Sequence, residues 1–358
     1  MNQFVFDILI VYSGRSVESA GSLSADVLTP FSHDIYNIAY GYFLKACQDQ
    51  KLKAAFAAST DITGPGQCSC YWLFEDGQWK KIVRPGYARI IFDRFSPSCE
   101  MAINNREILF SSPAVKPFNS PTLLELFFDK YKTYQKFPSY AIPTVPVEKT
   151  TRQGLKKAIK KLRKIIGQEK FSADFSEAFI VKDRFGAAGR NVYKIDPKNL
   201  DEALEIIKKT NKINYILQPF IKFDQGFIFQ GSPVTSDIRL IYLNGKVVQT
   251  YIRTAKEGDF RCNESQGGHL EYLSKREIPD KVIDQANSIV KILKEEDSLF
   301  TLDFLIGNSG RVYFLEGNTG PGLDWNLSSR KNEIEAKKLI QLITQELSRR
   351  SSAFAQLD

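Results

Sequence analysis

The stretch Phe300 to Leu323, FTLDFLIGNSGRVYFLEGNTGPGL, constrains this chain more than any other. Phe300–Ile306 and Val312–Leu315 are apolar runs of strand length, and Asn308-Ser309-Gly310 between them is turn chemistry, so the segment reads as a β-hairpin. Antiparallel pairing brings Asp303 on the first strand beside Glu316 and Asn318 at the end of the second. Two carboxylates and an amide oxygen are hard donors of the kind Mg²⁺ takes, the rest of its octahedron being filled by water and phosphate oxygens. Asp303 alone is better explained as an ordinary polar strand position. The pair with Glu316, followed by Asn318 and the Gly320-Pro321-Gly322 turn, favours a metal site.

A metal hairpin needs a frame, and 358 residues suffice for two or three lobes with sizeable cores. A hydrophobic content of 43% with 25% charged residues is that of a soluble globular protein, and no apolar run reaches bilayer length. FVFDILIVYS near the start contains Asp7 and reads as a buried strand, not a leader. The net charge of +8 allows a polyanion partner, and a nucleotide is enough to account for it. Five cysteines without paired metal spacing, and only His33 and His269 besides, point to reduced thiols in the cytoplasm.

The first segment reads as an α/β lobe. Phe4–Tyr12 is a strand, Asp34–Gln48 a helix, Leu52–Ala57 a strand, Cys70–Phe74 and Gln78–Val83 a hairpin about Glu75-Asp76-Gly77, and Ala88–Phe92 a strand. Lys116 to Pro121 breaks the pattern and marks a junction. One helix is expected over Thr122–Phe137, then an extended IPTVP segment. Thr151–Gln168 is an amphipathic helix with a cationic outer face, read as solvated, with an anionic partner or membrane surface as the alternative. Helices are also expected over Asp201–Thr210, Glu277–Glu296 and Lys331–Ser348, with Ser351–Asp358 frayed.

Between two strands lies AFIVKDRFGAAGRN. Its small residues Gly186, Ala187, Ala188 and Gly189 let backbone N–H groups approach phosphate oxygens, and Lys182 adds a point charge for the α- and β-phosphates. Farther on, SDIRLIYLNGKVVQTYIRTAKEGDFRCNESQGG carries a hairpin turn at Asn244-Gly245, with Asp237, Arg239 and Arg253 on its strands. Guanidinium forks match phosphate and carboxylate oxygens in bidentate geometry.

From Asn119 to Leu323 these segments resemble the ATP-grasp superfamily. The DIR…NGK…R-x-AK-EG-FR-x-N…GG series and D…LEGN-TGPG are most similar to the ribosomal-protein glutamate ligases and, more distantly, to glutathione synthetase. The resemblance implies an α/β (α+β) ATP-grasp fold. It has an N-terminal pre-ATP-grasp domain over 1–118, a central subdomain with a phosphate lid over 119–214 and a C-terminal subdomain with the metal site over 215–350. It further implies that Lys130 reaches a nucleotide phosphate and that the hinge at Gln218, Phe220 and Ile221 clasps adenine. Pro219, lacking an N–H, shifts the donor role to Phe220 or Ile221. Asp224 is the candidate for a ribose hydroxyl and Asn263 for a further nucleotide contact. Arg239, Arg253 and Arg261 are implied to hold the transferred phosphoryl group and the acyl phosphate, and Cys262 is expected to be chemically silent.

The activity so implied is an ADP-forming ligase that activates a carboxylate as an acyl phosphate and joins it to an amine. ATP and one or two Mg²⁺, replaceable by Mn²⁺, are its expected cofactors. Small-molecule or peptide carboxylates and amines are the expected substrates, with no nucleic-acid or membrane partner and homo-oligomers common in similar enzymes. The alternatives are an ester- or amide-forming enzyme that modifies a peptide, and a non-catalytic ATP-binding regulator. Asp324-Trp325-Asn326 departs from the glutamate-ligase pattern and points to a different acceptor side.

Overall fold

The computed structural model describes residues 3–169, 172–209, 214–295 and 297–355. The chain divides into two compact units, and neither is continuous in sequence. Met1–Pro121, Asp297–Leu299 and Gly320–Asp358 make the first; Thr122–Glu296 and Phe300–Thr319 make the second. Sequence placed a boundary at 118/119, close to the first crossing. The stretch from Gly320 onward, expected with the C-terminal subdomain, belongs instead to the first unit.

The first unit is built on β1 (Phe4–Tyr12), α1 (Asp34–Asp49), β2 (Ala54–Ala58), β3 (Ile62–Gly64), β4 (Gln67–Cys68), β5 (Tyr71–Glu75), β6 (Gln78–Ile82), β7 (Gly86–Arg94), α2 (Glu100–Leu109) and β8 (Lys116–Pro117). Its sheet runs β3-β4-β7-β1-β2-β5-β6, with β8 beside β7. β1 lies parallel to both β2 and β7, and its central residues Ile8 to Val11 have no exposed surface, as a strand covered on both faces requires. The hairpin between β5 and β6 turns at Asp76 and Gly77, whose φ of 54° and 77° give the mirror-image turn that suits strand twist. α2 is an element to which sequence assigned nothing.

The second unit contains α3 (Pro121–Phe128), α4 (Lys130–Lys136), β9 (Val145–Pro146), α5 (Arg152–Ile166), β10 (Phe175–Asp183), β11 (Val192–Ile195), α6 (Leu200–Lys209), β12 (Tyr215–Ile221), β13 (Ile228–Phe229), β14 (Ser232–Pro233), β15 (Ser236–Leu243), β16 (Lys246–Thr254), β17 (His269–Leu273), α7 (Asp280–Leu293), β18 (Leu299–Ile306) and β19 (Val312–Asn318). The single helix expected over 122–137 is two helices. Asp129 leaves the helical conformation (φ −100°, ψ 100°) and its carboxylate caps α4 by accepting from the N–H of Tyr131 and Lys132. One antiparallel sheet, β11-β10-β12-β9, is backed by α5 and α6, whose Leu155, Leu162 and Ala203 pack with Val181 and Leu217. A second, β17-β16-β15-β18-β19, is backed by α7 through Val282, Ala286 and Ile289. β12, which the expected boundary at 214/215 assigned to the C-terminal subdomain, pairs instead with β10 and β9 in the first of these sheets. The lysines of α5 at 156, 157, 160, 161 and 164 are all exposed, as a solvated face requires.

α8 (Arg330–Ala355) closes the first unit. It is longer than the expected 331–348 and takes in Ser351 to Ala355, which sequence left frayed; 356–358 lie outside the described residues. α7 is shorter than expected because Pro279 fixes its start and Lys294, at φ 56°, its end; Glu296 lies outside the described residues. Thr210, the expected end of α6, lies outside them too. Among the described residues no helix is long and apolar enough to cross a membrane.

Candidate nucleotide and metal site

A pocket lies wholly within the second unit. Its apolar wall is Ile142, Ile180, Ile221, Phe223, Leu305 and Leu315, and its polar wall includes Lys130, Lys182, Arg253, Arg261, Asn263 and Glu316. Gly186 to Gly189, Gln218, Phe220 and Ile221 also border it. A large apolar slot with a few convergent charges is the form of a cofactor site.

Strand register puts the cations there. Lys182 sits near the end of β10, opposite Val192 of β11 and Ile216 of β12. It is 5% exposed. Burial lowers its ammonium from 10.5 to about 8, with Glu316 opposing the shift and Lys130 adding to it. An anion arriving in the pocket relieves that cost. Lys130, at the start of α4, donates through Nζ to the carbonyl of Gly186, and that Nζ lies 3.9 Å from a Glu316 oxygen. Asp129 beside it receives a bidentate fork from Arg184 at 2.6 and 2.5 Å. Arg184 opens the loop that continues into Gly186–Gly189, so the α4 cap and the loop are one construction.

The loop is bent by left-handed residues, Ala188 at φ 57° and Gly189 at 65°. A side chain at Gly189 would meet Asn263 Oδ1 at 2.6 Å, and the left-handed φ of this position favours glycine. Ser265 donates to the Ala188 carbonyl at 2.8 Å from the same side. Gln218 on β12 is buried and donates to Thr144 Oγ1 at 2.7 Å. Arg261 is forked onto Asp259, at 3.1 and 2.8 Å, and this holds the Asp259 carboxyl well below the usual range. Cys262 is buried and its thiol is pushed up by burial, as a silent cysteine would be.

Four buried charges form one cluster, with Asp237 and Arg253 at the pocket wall and Arg239 and Asp303 off it. Asp237 and Arg239 share a face of β15, and Asp237 is in register with Arg253 of β16. Arg253 forks onto Asp237 at 2.8 Å twice and also donates to Asp303 at 3.0 Å. Arg239 forks onto Asp303 at 2.6 and 2.5 Å and donates to Tyr251 Oη at 3.2 Å. Burial alone would raise Asp303, but the guanidinium groups of Arg239 and Arg253 outweigh it and hold the carboxyl down. The four charges cancel, as burial demands.

The hairpin of β18 and β19 has the expected pairing of Asp303 with Glu316, and Asn318 stands opposite Thr301. A bulge lies between Asp303 and Phe304, leaving Leu315 as an extra residue on β19. Consecutive strand residues normally face opposite sides; with the bulge, Leu315 and Glu316 both border the pocket. The donor types suit a hard cation, but of the three only Glu316 borders the pocket. Glu316 faces the pocket, Asn318 follows it by the strand repeat, and Asp303 has three of roughly four carboxylate lone pairs engaged.

Four residues expected in the site lie off the pocket. Arg239, Asp303 and Asn318 do not border the pocket, and the first two are spent on each other. Asp224 is exposed, accepts from Asn308 at 2.9 Å, and borders an adjoining hollow that shares Phe220, Phe223, Phe260 and Arg261 with the pocket. Asp237, missing from the expected site, borders the pocket. Its position two residues before Arg239, on the same strand face, was the available signal.

Two facing sheets with a nucleotide-sized slot define the ATP-grasp architecture, and solved structures share it. D-cycloserine synthetase DcsG aligns at a TM-score of 0.58 and 15% identity, covering 96% of this chain and 99% of that one. D-alanyl-alanine synthetase A of Vibrio cholerae aligns at 0.58 and 15%, covering 97% and 99%. The family model described as the RimK-like ATP-grasp domain matches residues 130–343, and the chain belongs to that family. A probable alpha-L-glutamate ligase of Parasynechococcus marenigrum (strain WH8102) is 30% identical over 145 residues, which is 40% of this chain and 28% of the relative. The chain spans less than half the length of the curated relatives it matches.

Proposed function

We propose that this chain is an ATP-dependent carboxylate–amine ligase. The observation that carries the reading is the single pocket where Lys130, Lys182, the Gly186–Gly189 loop, the Gln218–Ile221 strand, Arg253, Arg261, Asn263 and Glu316 meet. The apolar wall takes the adenine ring, with Phe220 or Ile221 supplying the backbone donor in place of Pro219. Lys130, Lys182 and the loop N–H groups bind the phosphates, and Asp224 in the adjoining hollow takes a ribose hydroxyl. Glu316, Asn318 and Asp303 would hold one or two Mg²⁺, with Mn²⁺ as substitute. A metal bound there would neutralise phosphate charge.

A substrate carboxylate oxygen then attacks the γ-phosphorus, ADP leaves, and an acyl phosphate forms. Arg253 and Arg261 stabilise the transferring phosphoryl group, and Arg239 holds Asp303 in place. An amine attacks the acyl carbon, phosphate leaves, and an amide results. No side chain becomes covalently bonded; positioning and charge neutralisation lower the barrier. The alpha-L-glutamate ligase relatives favour an amide over an ester product. We place the reaction in the cytoplasm, with a small-molecule or peptide carboxylate as donor.

Hydroxylamine trapping tests the reading. Protein, Mg-ATP and pooled carboxylates are incubated with hydroxylamine and examined by mass spectrometry. An ATP-dependent hydroxamate with ADP release is expected. Protein that binds Mg-ATP yet yields neither with any carboxylate would overturn it and leave the regulator.

A further inference from the structure

The net charge of this chain is concentrated on one helix. α5 carries seven lysines and arginines between Arg152 and Lys164 and no acidic residue, so with a net charge of +8 overall the rest of the chain is within one charge of neutral. All seven residues are exposed. Arg152 pairs with Asp201 at 3.4 Å and Lys157 with Glu148 at 3.1 Å. Lys156, Lys160, Lys161 and Lys164 make no ion pair among the described residues.

The helix is fixed with this face outward. Leu155, Ala158, Ile159 and Leu162 are buried in one core with Val181 of β10 and Leu217 of β12. Consecutive strand residues point to opposite faces of a sheet, and Ile180, Lys182 and Gln218 border the nucleotide pocket. α5 therefore backs the sheet on the side away from that pocket. A second hollow lies there, its border including Lys149, Thr151, Gly154, Lys157 and Lys161. Glu148 stands at the same border and accepts from Lys157 at 3.1 Å. That hydrogen bond, with the charges of Lys157, Lys161 and Lys149, holds the Glu148 carboxyl below the usual range, so three lysines act on one carboxylate.

Three kinds of polyanion would be drawn to such a face. A helix that enters a membrane surface needs its apolar side free, and here that side is spent in the core. Nucleic acids are gripped by aromatic rings that stack on bases and by amide or arginine groups that read them. From Lys156 to Lys164 the outer face offers lysines, and the one arginine, Arg163, lies with its guanidinium 5.9 Å from the Phe179 ring. An acidic peptide fits what remains. Lys156, Lys160 and Lys164 recur about every 6 Å along the helix axis. Alternate side chains of an extended peptide recur about every 6.6 Å, close enough to meet them in turn. We propose that the outer face of α5 and its hollow form an exosite for an acidic polypeptide segment, with one carboxylate seated in the hollow by Lys149 and Lys161 and others along Lys156, Lys160 and Lys164. The exosite goes beyond the ligase reading and does not depend on it, because a partner held on this side of the sheet leaves the nucleotide pocket free.

The test is fluorescence anisotropy of the full chain with labelled octaglutamate and octaglutamine peptides, at low and at physiological salt, with and without saturating Mg-ATP. Octaglutamate is expected to bind at least about tenfold more tightly than octaglutamine, to weaken as salt rises, and to bind equally with and without Mg-ATP. The triple variant Lys156→Glu, Lys160→Glu, Lys164→Glu should weaken octaglutamate at least about tenfold. The control Lys45→Glu, Lys51→Glu, Lys53→Glu changes the net charge equally on exposed lysines of the first unit, and should weaken it less than about threefold. If the α5 variant fails to fold, Lys149→Gln with Lys161→Gln and the peptide comparison on the wild type decide. Equal binding of the two peptides, equal losses in the α5 and control variants, or displacement of octaglutamate by Mg-ATP would each overturn the inference. So would tighter binding of duplex DNA or of phosphatidylserine vesicles than of octaglutamate at physiological salt. Protein that binds octaglutamate with these dependences and fails hydroxylamine trapping would keep the exosite and lose the ligase reading.

Discussion

Replacing Lys182 with methionine should raise stability and remove nucleotide binding at once. Burial lowers the Lys182 ammonium from 10.5 to about 8. At about 1.4 kcal/mol per pKa unit, holding the charged form in the unliganded fold at pH 7 costs on the order of 3 kcal/mol. The unfolded lysine keeps its proton until about pH 10.4, whereas the folded one loses it near 8. Between those values the unfolded chain binds more protons, so wild-type stability from this group rises with pH. Methionine fills similar volume and carries no charge. Lys182→Met should therefore be more stable than wild type by up to about 3 kcal/mol at pH 7, and the gap should close by roughly pH 10.5. Urea denaturation of both proteins at pH 7, 9 and 10.5 measures it. In the same assay Mg-ATP at a hundred times its Kd should add about 2.7 kcal/mol to the wild type and nothing to the variant. A variant less stable at pH 7, or a gap that does not change with pH, would refute the buried-charge argument. Retained ATP stabilisation would refute the phosphate role.

Glu316→Ala should abolish turnover while the circular-dichroism melt stays within a few degrees, because the side chain borders the pocket and is only partly buried; full activity in the folded variant would sink the metal assignment. Asp303→Ala leaves Arg239 without its fork and Arg253 short of one acceptor, so urea unfolding should show a loss of about 3–5 kcal/mol. Gly226→Ala places a methyl 1.9 Å from the Ile306 carbonyl oxygen, and a loss of about 1–3 kcal/mol is expected in the same measurement.

What sequence made legible was local. The hairpin at 300–318 carries its own turn and alternation, and its Asp303–Glu316 register follows from them. Lys182 and the small residues after it read as a phosphate loop because strand, loop and strand lie within a short window. What escaped depends on partners far along the chain. Asp303 is matched to Arg239, 64 residues away, and nothing within the hairpin announces that the carboxylate is already engaged. The break at Asp129 had a local sign, since aspartate favours helix N-caps, but Arg184, 55 residues on, occupies its carboxylate. Helical periodicity across 122–137 outweighed the cap. The Leu315 bulge, which adds an apolar wall to the pocket, has no sequence signature; nor does the meeting of Arg94 with the Pro321 carbonyl, 227 residues later.

The discontinuity of the first unit bears on how the chain emerges from the ribosome. α1 packs against α8, where Gln341 donates to Tyr42 Oη at 3.1 Å and Lys337 lies over the Tyr42 ring. Pro121 is made long before Gly320, and at about 5–20 residues per second the roughly 200 residues between them take about 10–40 s to synthesise. For that interval the nascent sheet and α1 lack their covering helix. The second unit, whose last strand precedes Gly320, can consolidate first. The strands of the first unit are thus among the last to be sealed, and until α8 is made the nascent chain presents an apolar face of α1.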